Sequence, residues 1–172
     1  MGIGHNGGPT LDLSWEVWLW RKASAEVHKP PRREIALHRL KRAERLGLDY
    51  RSYAGVLLNR GTHLGAAIFL LDGLGERELR VASDRIVAIL DCHILVGSGD
   101  GFDPALTARA DAVVATSDPR ALQRAIDRFI LGHCGTPSGT FMVGTGADHL
   151  RAAEDAGLGL FLWAKDYFRA VN

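Results

Sequence analysis

The stretch FMVGTGADHLRAAEDAGLGLF, residues 141–161, decides the fold of this chain. It begins with an apolar run, turns at glycines, continues with helical periodicity and ends in a second apolar run. We predict a strand at Thr140–Val143, a helix at Ala147–Ala156 and a strand at Leu158–Trp163. Two strands that flank a helix in this way lie parallel in one sheet, because the helix returns the chain to the same edge.

The same alternation of short apolar runs and helical segments begins at residue 64. The other predicted strands are Ala66–Leu71, His93–Val96 and Ala112–Ala115. The other predicted helices are Glu76–Leu90, a short one from Pro104, and Pro119–Leu131. This pattern indicates an α/β domain over residues 64–172, with a Rossmann-like parallel sheet of about five strands and helices on both faces.

The first third of the chain differs from the rest and predicts an N-terminal helical segment that precedes the sheet. Residues 1–12 are glycine-rich and aperiodic, so we expect a flexible tail there. Residues 13–63 are expected to be helical and to pack with the sheet in one compact unit. Trp15 and Trp18 fall on one face of the first predicted helix. Such a pair either packs on the protein's own core or binds a partner.

Positive charge is concentrated in this helical segment. The chain has a net charge of +1, but residues 21–60 contain 11 Lys and Arg residues against 4 Asp and Glu residues. Arg39, Arg42 and Arg45 are candidate binding residues, because a basic surface attracts phosphates or an acidic partner. Residues 33–60 predict two helices joined by a glycine turn, which is the outline of a helix-turn-helix.

Composition is that of an ordinary folded protein. The 172 residues suit one domain, and 47% of them are hydrophobic and 24% charged. No window of about 18 residues lacks charged or turn residues, so we expect no membrane span. Cys92 and Cys134 fit a reducing compartment. With no secretory signal pattern at the start of the chain, the expected location is the cytoplasm.

Polar residues follow several predicted strands, at the edge where parallel sheets bind ligands. Asp72 follows the first strand, Ser98 the second, and Thr145 and Gly146 the fourth. His149, in the first turn of the next helix, is a candidate acid or base. The glycines do not complete a GxGxxG or GxxxxGK[ST] loop, and the histidines have no HExxH spacing, so neither a nucleotide loop nor a zinc site is expected.

Several of these stretches resemble the haloacid-dehalogenase-like superfamily of phosphatases and dehalogenases. In residues 141–161, an apolar strand ending in VG and a helix ending in AAxxAG are similar to that family's last motif. AIFLLDGLG, residues 67–75, looks like its opening motif, hhhhDxDGT. SDPRALQRAIDRF, residues 117–129, is similar to the segment that follows the family's lysine. The resemblance covers most of residues 66–163, mainly at scaffold positions.

The resemblance implies phosphoryl transfer by an aspartate nucleophile, with a second carboxylate for the proton and a hydroxyl and a lysine for the phosphoryl oxygens. On that pattern Leu70 stands at the nucleophile and Asp72 at the second carboxylate. In the alternative register Asp72 is the nucleophile and lacks its carboxylate partner. Ser98 takes the hydroxyl position, and Thr116 stands where the lysine belongs.

The metal side of the pattern is also incomplete. Thr145 and His149 replace the two carboxylates, and threonine is a poor Mg²⁺ ligand. The remaining candidate metal ligands are Asp72 and Asp148, the latter one residue from the family position. If the chain is an enzyme, the resemblance implies Mg²⁺ as cofactor and Asp72, Ser98 and His149 as catalytic residues. Otherwise we expect no cofactor.

These observations leave three interpretations of function. The favoured one is a non-catalytic scaffold that acts as an interaction or structural protein through its basic, Trp-rich helical segment. Its partner would be another protein or a second copy of the chain. The second is a divergent phosphatase-like hydrolase with a Mg²⁺-assisted site. Its site residues would be Asp72, Ser98, Asp100, Asp118 and His149. The third is DNA binding through residues 33–60.

Overall fold

The computed structural model describes most of the chain after residue 30. The described residues are 15, 17–19, 21, 22, 31–99, 103–133 and 136–169. The tail expected at 1–12, and the residues Asp100 and Cys134, lie outside them. The chain divides into two compact units, Met1–Ala36 and Leu37–Asn172. In the first unit, the described residues between 15 and 22 are helical.

The described part of the chain alternates helices and strands. The helices are α1 (Arg33–Arg45), α2 (Tyr50–Arg60), α3 (Glu76–Val87), α4 (Pro104–Arg109), α5 (Pro119–His133), α6 (Ala147–Asp155) and α7 (Ala164–Arg169). The strands are β1 (Ala66–Leu70), β2 (His93–Ser98), β3 (Ala112–Ala115), β4 (Thr140–Gly144) and β5 (Leu160–Trp163). Among the described helices, none has the length and apolar content needed to cross a membrane.

The five strands form one parallel sheet in the order β3-β2-β1-β4-β5. At the centre, Ala66 of β1 pairs with His93 of β2 and with Thr140 of β4. The β1 sequence AAIFL is buried at every position. A strand that is apolar on both sides requires a sheet covered on both faces. The predicted Rossmann-like parallel sheet of about five strands is therefore confirmed.

Successive side chains of β1 serve two separate cores, one on each face of the sheet. Phe69 packs in a cluster with residues of α1, α2, α3 and α7. Ile68 and Leu70 pack on the opposite face with residues of α5 and α6. Burying a Leu, Ile or Phe side chain contributes about 1.5–3 kcal/mol, so the two cores supply most of the drive to fold.

A polar clamp joins the turn after α1 to α3 and α7. The buried Tyr167 hydroxyl donates a hydrogen bond to the Leu46 carbonyl at 2.9 Å. Arg85 donates to the Gly47 carbonyl at 2.8 Å and also to the Tyr167 carbonyl, and its guanidinium lies 4.2 Å from the Tyr167 ring centroid. Burial, opposed by Arg85, raises the pKa of Tyr167 to about 12, so its hydroxyl remains a donor. The end of α1 is thereby fixed to the sheet's own helices.

Strand β2 runs two residues further than predicted, through Gly97 and Ser98. A Cβ atom at Gly97 would lie 2.6 Å from Leu70 Cδ2 and 2.9 Å from Thr116 Cγ2. Glycine is needed there because the neighbouring side chains fill the space, so the first part of GSGDG is packed strand and not a turn.

We predict that Gly97→Ala lowers the free energy of unfolding by about 1–3 kcal/mol, because the added methyl group overpacks a filled site. Urea unfolding of both proteins measures the difference. Gly132→Ala in α5 is the matched control, since no atom of the described residues, apart from its chain neighbours and its own helix backbone, lies within 4 Å of its added Cβ. Helix propensity predicts that this control gains up to about 1 kcal/mol. A neutral Gly97→Ala would contradict the packing argument.

Candidate functional site

The candidate site lies where the strand order reverses, at the carboxyl ends of the parallel strands. From β1 the chain continues to β2 on one side, whereas β4 joins β1 on the other side. Loops that leave adjacent strands in opposite directions open a crevice at this edge. Asp72, Gly99, Thr116 and Thr145 follow the first four strands and meet there.

Asp72 is the centre of this crevice. Its Oδ1 atom accepts hydrogen bonds from the Gly99 N–H and from the Thr116 hydroxyl, both at 2.5 Å. Its Oδ2 atom is buried and lies 3.3 Å from His149 Nε2. That contact lacks the angle of a good hydrogen bond, so among the described residues Oδ2 has an electrostatic neighbour and no aligned donor. The carboxylate thus connects loops that follow β1, β2 and β3 with helix α6.

His149 is held from both sides of its ring. Its Nδ1 atom accepts a hydrogen bond from the Thr145 N–H at 3.1 Å, and the Thr145 hydroxyl lies 3.4 Å away. Because Nδ1 is an acceptor, the proton of the neutral ring is on Nε2 and faces Asp72. Burial lowers the pKa of His149, while Asp72 and Asp148 oppose that change. At neutral pH the ring is therefore neutral, and the nitrogen that a base would use is already bound.

A cleft of about 930 Å³ lies beside Asp72 and His149, between α5 and α6. Its charged lining is mixed in sign, with Arg120, Arg151, Asp148 and Asp155 in addition to Asp72. Thr116, Ser117 and Gln123 add polar groups, and Leu122 an apolar one. The cleft is large enough for a small molecule and has no dominant charge.

The structure brings some of the sequence-predicted site residues together and separates others. Asp72, Thr145 and His149 form a chain of contacts. Ser98 is buried at the end of β2. Gly146 caps α6. The predicted metal ligand Asp148 has a side chain that is 95% exposed, and its nearest ion pair is with Arg151 at 3.9 Å.

Two further residues of the predicted crevice have structural roles. Asp118 accepts a hydrogen bond from the Arg120 N–H at 2.9 Å, which caps the start of α5. Thr116, which the resemblance only placed at the lysine position, is a direct partner of Asp72. Sequence analysis missed that contact, although both residues follow strands of one parallel sheet and therefore end at the same edge.

The arginines of the helical segment have contacts inside the second unit. Arg42 donates to the Leu64 carbonyl at 3.2 Å, and Arg45 pairs with Asp91 at 2.6 Å. Arg39 is half-buried. Two of the three candidate binding arginines thus have protein acceptors, which makes them less available to a phosphate or to an acidic partner. In the first unit Trp15 and Trp18 stack, with ring centroids 5.1 Å apart, and are 59% and 49% exposed.

Metal-ligating side chains do not converge on the crevice in the described part of the chain. The one described group of three such residues is His93, Asp111 and His133. It lies at the opposite edge of the sheet, where β2 begins and α5 ends. The candidate Mg²⁺ ligands Asp72 and Asp148 are not part of such a group.

Comparison of the chain with protein-family models, with curated proteins and with solved structures finds no match. The resemblance to the haloacid-dehalogenase-like superfamily therefore stays a prediction.

We predict that the free energy of unfolding falls in mild acid and that the buried His149 ring causes part of this loss. A His whose pKa is lowered by folding binds more protons in the unfolded state than in the folded state. Its contribution to the free energy of unfolding is therefore complete above pH 6.5, which is the ordinary pKa of His, and is lost as the pH falls toward the lower pKa of the folded state. Urea unfolding at pH 7.5 and 5.5 should show a smaller pH-dependent loss for His149→Gln than for the unsubstituted chain. The exposed His38 supplies the control His38→Gln, which should keep the full loss. Equal pH dependence in all three proteins would refute this role of His149.

Proposed function

We propose that this protein is a non-catalytic member of a haloacid-dehalogenase-like class, a Rossmann-like scaffold that binds another protein through its Trp-bearing N-terminal segment. The observation that carries the non-catalytic part is the state of Asp72. Its Oδ1 atom already accepts two hydrogen bonds, and its Oδ2 atom is buried beside His149. A carboxylate held in this way serves as a structural tie, that is, a group whose contacts stabilise the loops around it.

Nucleophilic attack on phosphorus needs a carboxylate oxygen with a lone pair directed at the substrate. At Asp72, attack by Oδ1 would require loss of the bonds from Gly99 and Thr116. Attack by Oδ2 would require removal of the His149 ring, which covers it at 3.3 Å. Charged hydrogen bonds contribute about 1.5–3 kcal/mol each, so this rearrangement would add to the reaction barrier. The contacts of Asp72 therefore favour a role in stabilising the fold over a role as a nucleophile.

Phosphoryl transfer also needs a cation that neutralises the developing charge. Mg²⁺ prefers several oxygen ligands at a fixed spacing. The exposed Asp148 is directed toward Arg151, and Thr145 bonds to His149. Among the described residues, the cleft carboxylates Asp72, Asp148 and Asp155 do not form a group close enough to share one ion, which supports a site without resident Mg²⁺.

The binding part of the proposal rests on the first unit. Trp15 and Trp18 form an exposed stack, and Lys22 Nζ lies 4.9 Å from the Trp18 ring centroid. Large aromatic side chains next to a cation are typical of residues that dominate protein interfaces. Because residues 21–36 of this unit contain five Lys and Arg residues against two Glu residues, we commit to a protein partner whose surface is apolar and acidic.

We expect no Mg²⁺-dependent hydrolysis of p-nitrophenyl phosphate above the buffer background. The same absence is expected for Asp72→Ala, which should differ from the unsubstituted chain in stability alone. Turnover that the unsubstituted chain shows and Asp72→Ala loses would reject the non-catalytic proposal.

We expect Trp15→Ala combined with Trp18→Ala to abolish capture of the partner from a cell extract. The captured protein is then purified and titrated against the full chain, and the double substitution should weaken this binding at least about 100-fold, as expected for two interface anchors. The control is Val81→Ala, which removes an apolar side chain that is 48% exposed in α3. Unchanged binding by the tryptophan variant, or a complex formed only between copies of the chain in sedimentation, would refute the proposed partner.

The divergent hydrolase remains the second candidate, and the cleft is the observation that favours it. A cleft of about 930 Å³ at the carboxyl ends of the strands, with an Asp–His pair in its floor, is suited to a small polar molecule. The phosphatase measurement separates the two proposals, because only the hydrolase requires Asp72 for turnover.

A further inference from the structure

A second group of chemically active side chains lies at the amino edge of the sheet, opposite the crevice. His93 is the first residue of β2, Asp111 directly precedes β3, and His133 is the last residue of α5. Because α5 runs antiparallel to the strands that it covers, its end returns to the edge where β2 and β3 begin. The topology thus collects residues that are far apart in the sequence.

The three side chains are close enough to share one ion. His93 Nδ1 lies 3.5 Å from Asp111 Oδ1, and the ligand atoms of all three residues lie within 4.8 Å of one another. Bonds of about 2.0–2.2 Å to zinc place tetrahedral ligand atoms roughly 3.4 Å apart. One pair already has that spacing, and the exposed side chains need to close by about 1.4 Å at most to complete it.

Neighbouring groups orient the three side chains toward one another. Asp111 Oδ2 accepts a hydrogen bond from the Ile94 N–H at 2.7 Å, which leaves Oδ1 directed at His93. The His133 ring packs against Phe129 and meets the His93 ring edge-on, with centroids 4.9 Å and 4.7 Å away. These contacts hold one carboxylate oxygen and the two imidazole rings close together.

The mutual contacts of these residues gain the protein little stability. An exposed His–Asp pair contributes little to stability because water screens it, and about half of the His93 side chain is open to solvent. A position at the C-terminus of α5 favours positive charge, because the helix dipole is negative there. The contact between His93 and Asp111 therefore adds little to the stability of this edge of the sheet.

The chemistry of the group selects the kind of ion. Two imidazole nitrogens and one carboxylate oxygen suit Zn²⁺ and similar transition metals, whereas Mg²⁺ prefers oxygen ligands alone. Three protein ligands leave one tetrahedral position for water. A pocket of about 300 Å³, lined in part by His93 and His133, provides space for that fourth ligand.

We propose that this protein binds one Zn²⁺ ion at the amino edge of its sheet, with His93, Asp111 and His133 as ligands. The site is independent of the crevice and of the proposed function, because it shares no residue with either.

Zinc titration of the full, untagged chain tests this site after treatment with EDTA and buffer exchange. We expect saturable binding of one Zn²⁺ per chain, measured by calorimetry, and no binding of Mg²⁺. His93→Gln, Asp111→Asn and His133→Gln should each weaken zinc binding at least about tenfold, since each removes or neutralises a ligand. These side chains lie at the surface, so the variants should keep the fold, which circular dichroism verifies.

The matched control is His38→Gln, which removes an exposed histidine of α1 and should leave the zinc affinity within about twofold of the unsubstituted chain. Co²⁺ supplies a second readout, because its visible absorption should appear on binding, disappear when Zn²⁺ displaces it, and be absent in His133→Gln. Absence of saturable zinc binding would overturn the proposal. Affinity that none of the three ligand substitutions changes would overturn it as well.

Discussion

The carboxylate of Asp72 connects the carboxyl ends of the central strands. A parallel sheet leaves backbone groups without partners where its strands end, and the loops there must satisfy them. The Asp72 carboxylate meets this requirement for the Gly99 N–H after β2. It also accepts from the side-chain hydroxyl of Thr116 after β3 and faces the His149 ring in the helix after β4. The shape of the crevice is fixed by these contacts before any ligand enters.

The same contacts limit what the crevice can do. Each hydrogen bond that stabilises the carboxylate also occupies an electron pair that a nucleophile or a metal ligand would use. His149 is subject to the same limit, because the Thr145 N–H binds the nitrogen that would accept a proton. Helix α5 links this edge to the other one: its start lines the cleft and its last residue, His133, belongs to the proposed zinc site. With 15 residues at about 1.5 Å each, the helix separates the two sites by about 22 Å.

Periodicity alone predicts the fold well, because a strand buried on both faces, such as AAIFL, is recognisable in the sequence as a continuous apolar run. The position of Asp72 at the crevice is likewise predictable, since parallel strands end at one edge. The roles of the glycines and arginines are not predictable in this way, because they depend on residues elsewhere in the sequence. Glycine is required at position 97, for example, because the side chains of Leu70 and Thr116 fill the space beside it. The spacing of metal ligands in the sequence does not reveal the His93–Asp111–His133 group for the same reason, because the sheet and α5 bring these residues together only in the folded protein.

A double-mutant cycle on Asp72→Asn and Thr116→Val tests the central claim most directly, with the free energy of unfolding measured in urea. If Asp72 is a structural tie, Asp72→Asn destabilises the protein by about 1–3 kcal/mol, and the two substitutions are coupled by at least about 1 kcal/mol. A carboxylate kept for chemistry is commonly held at a cost to stability. An Asp72→Asn variant that is as stable as the unsubstituted chain or more stable, with no coupling to Thr116, would contradict this account.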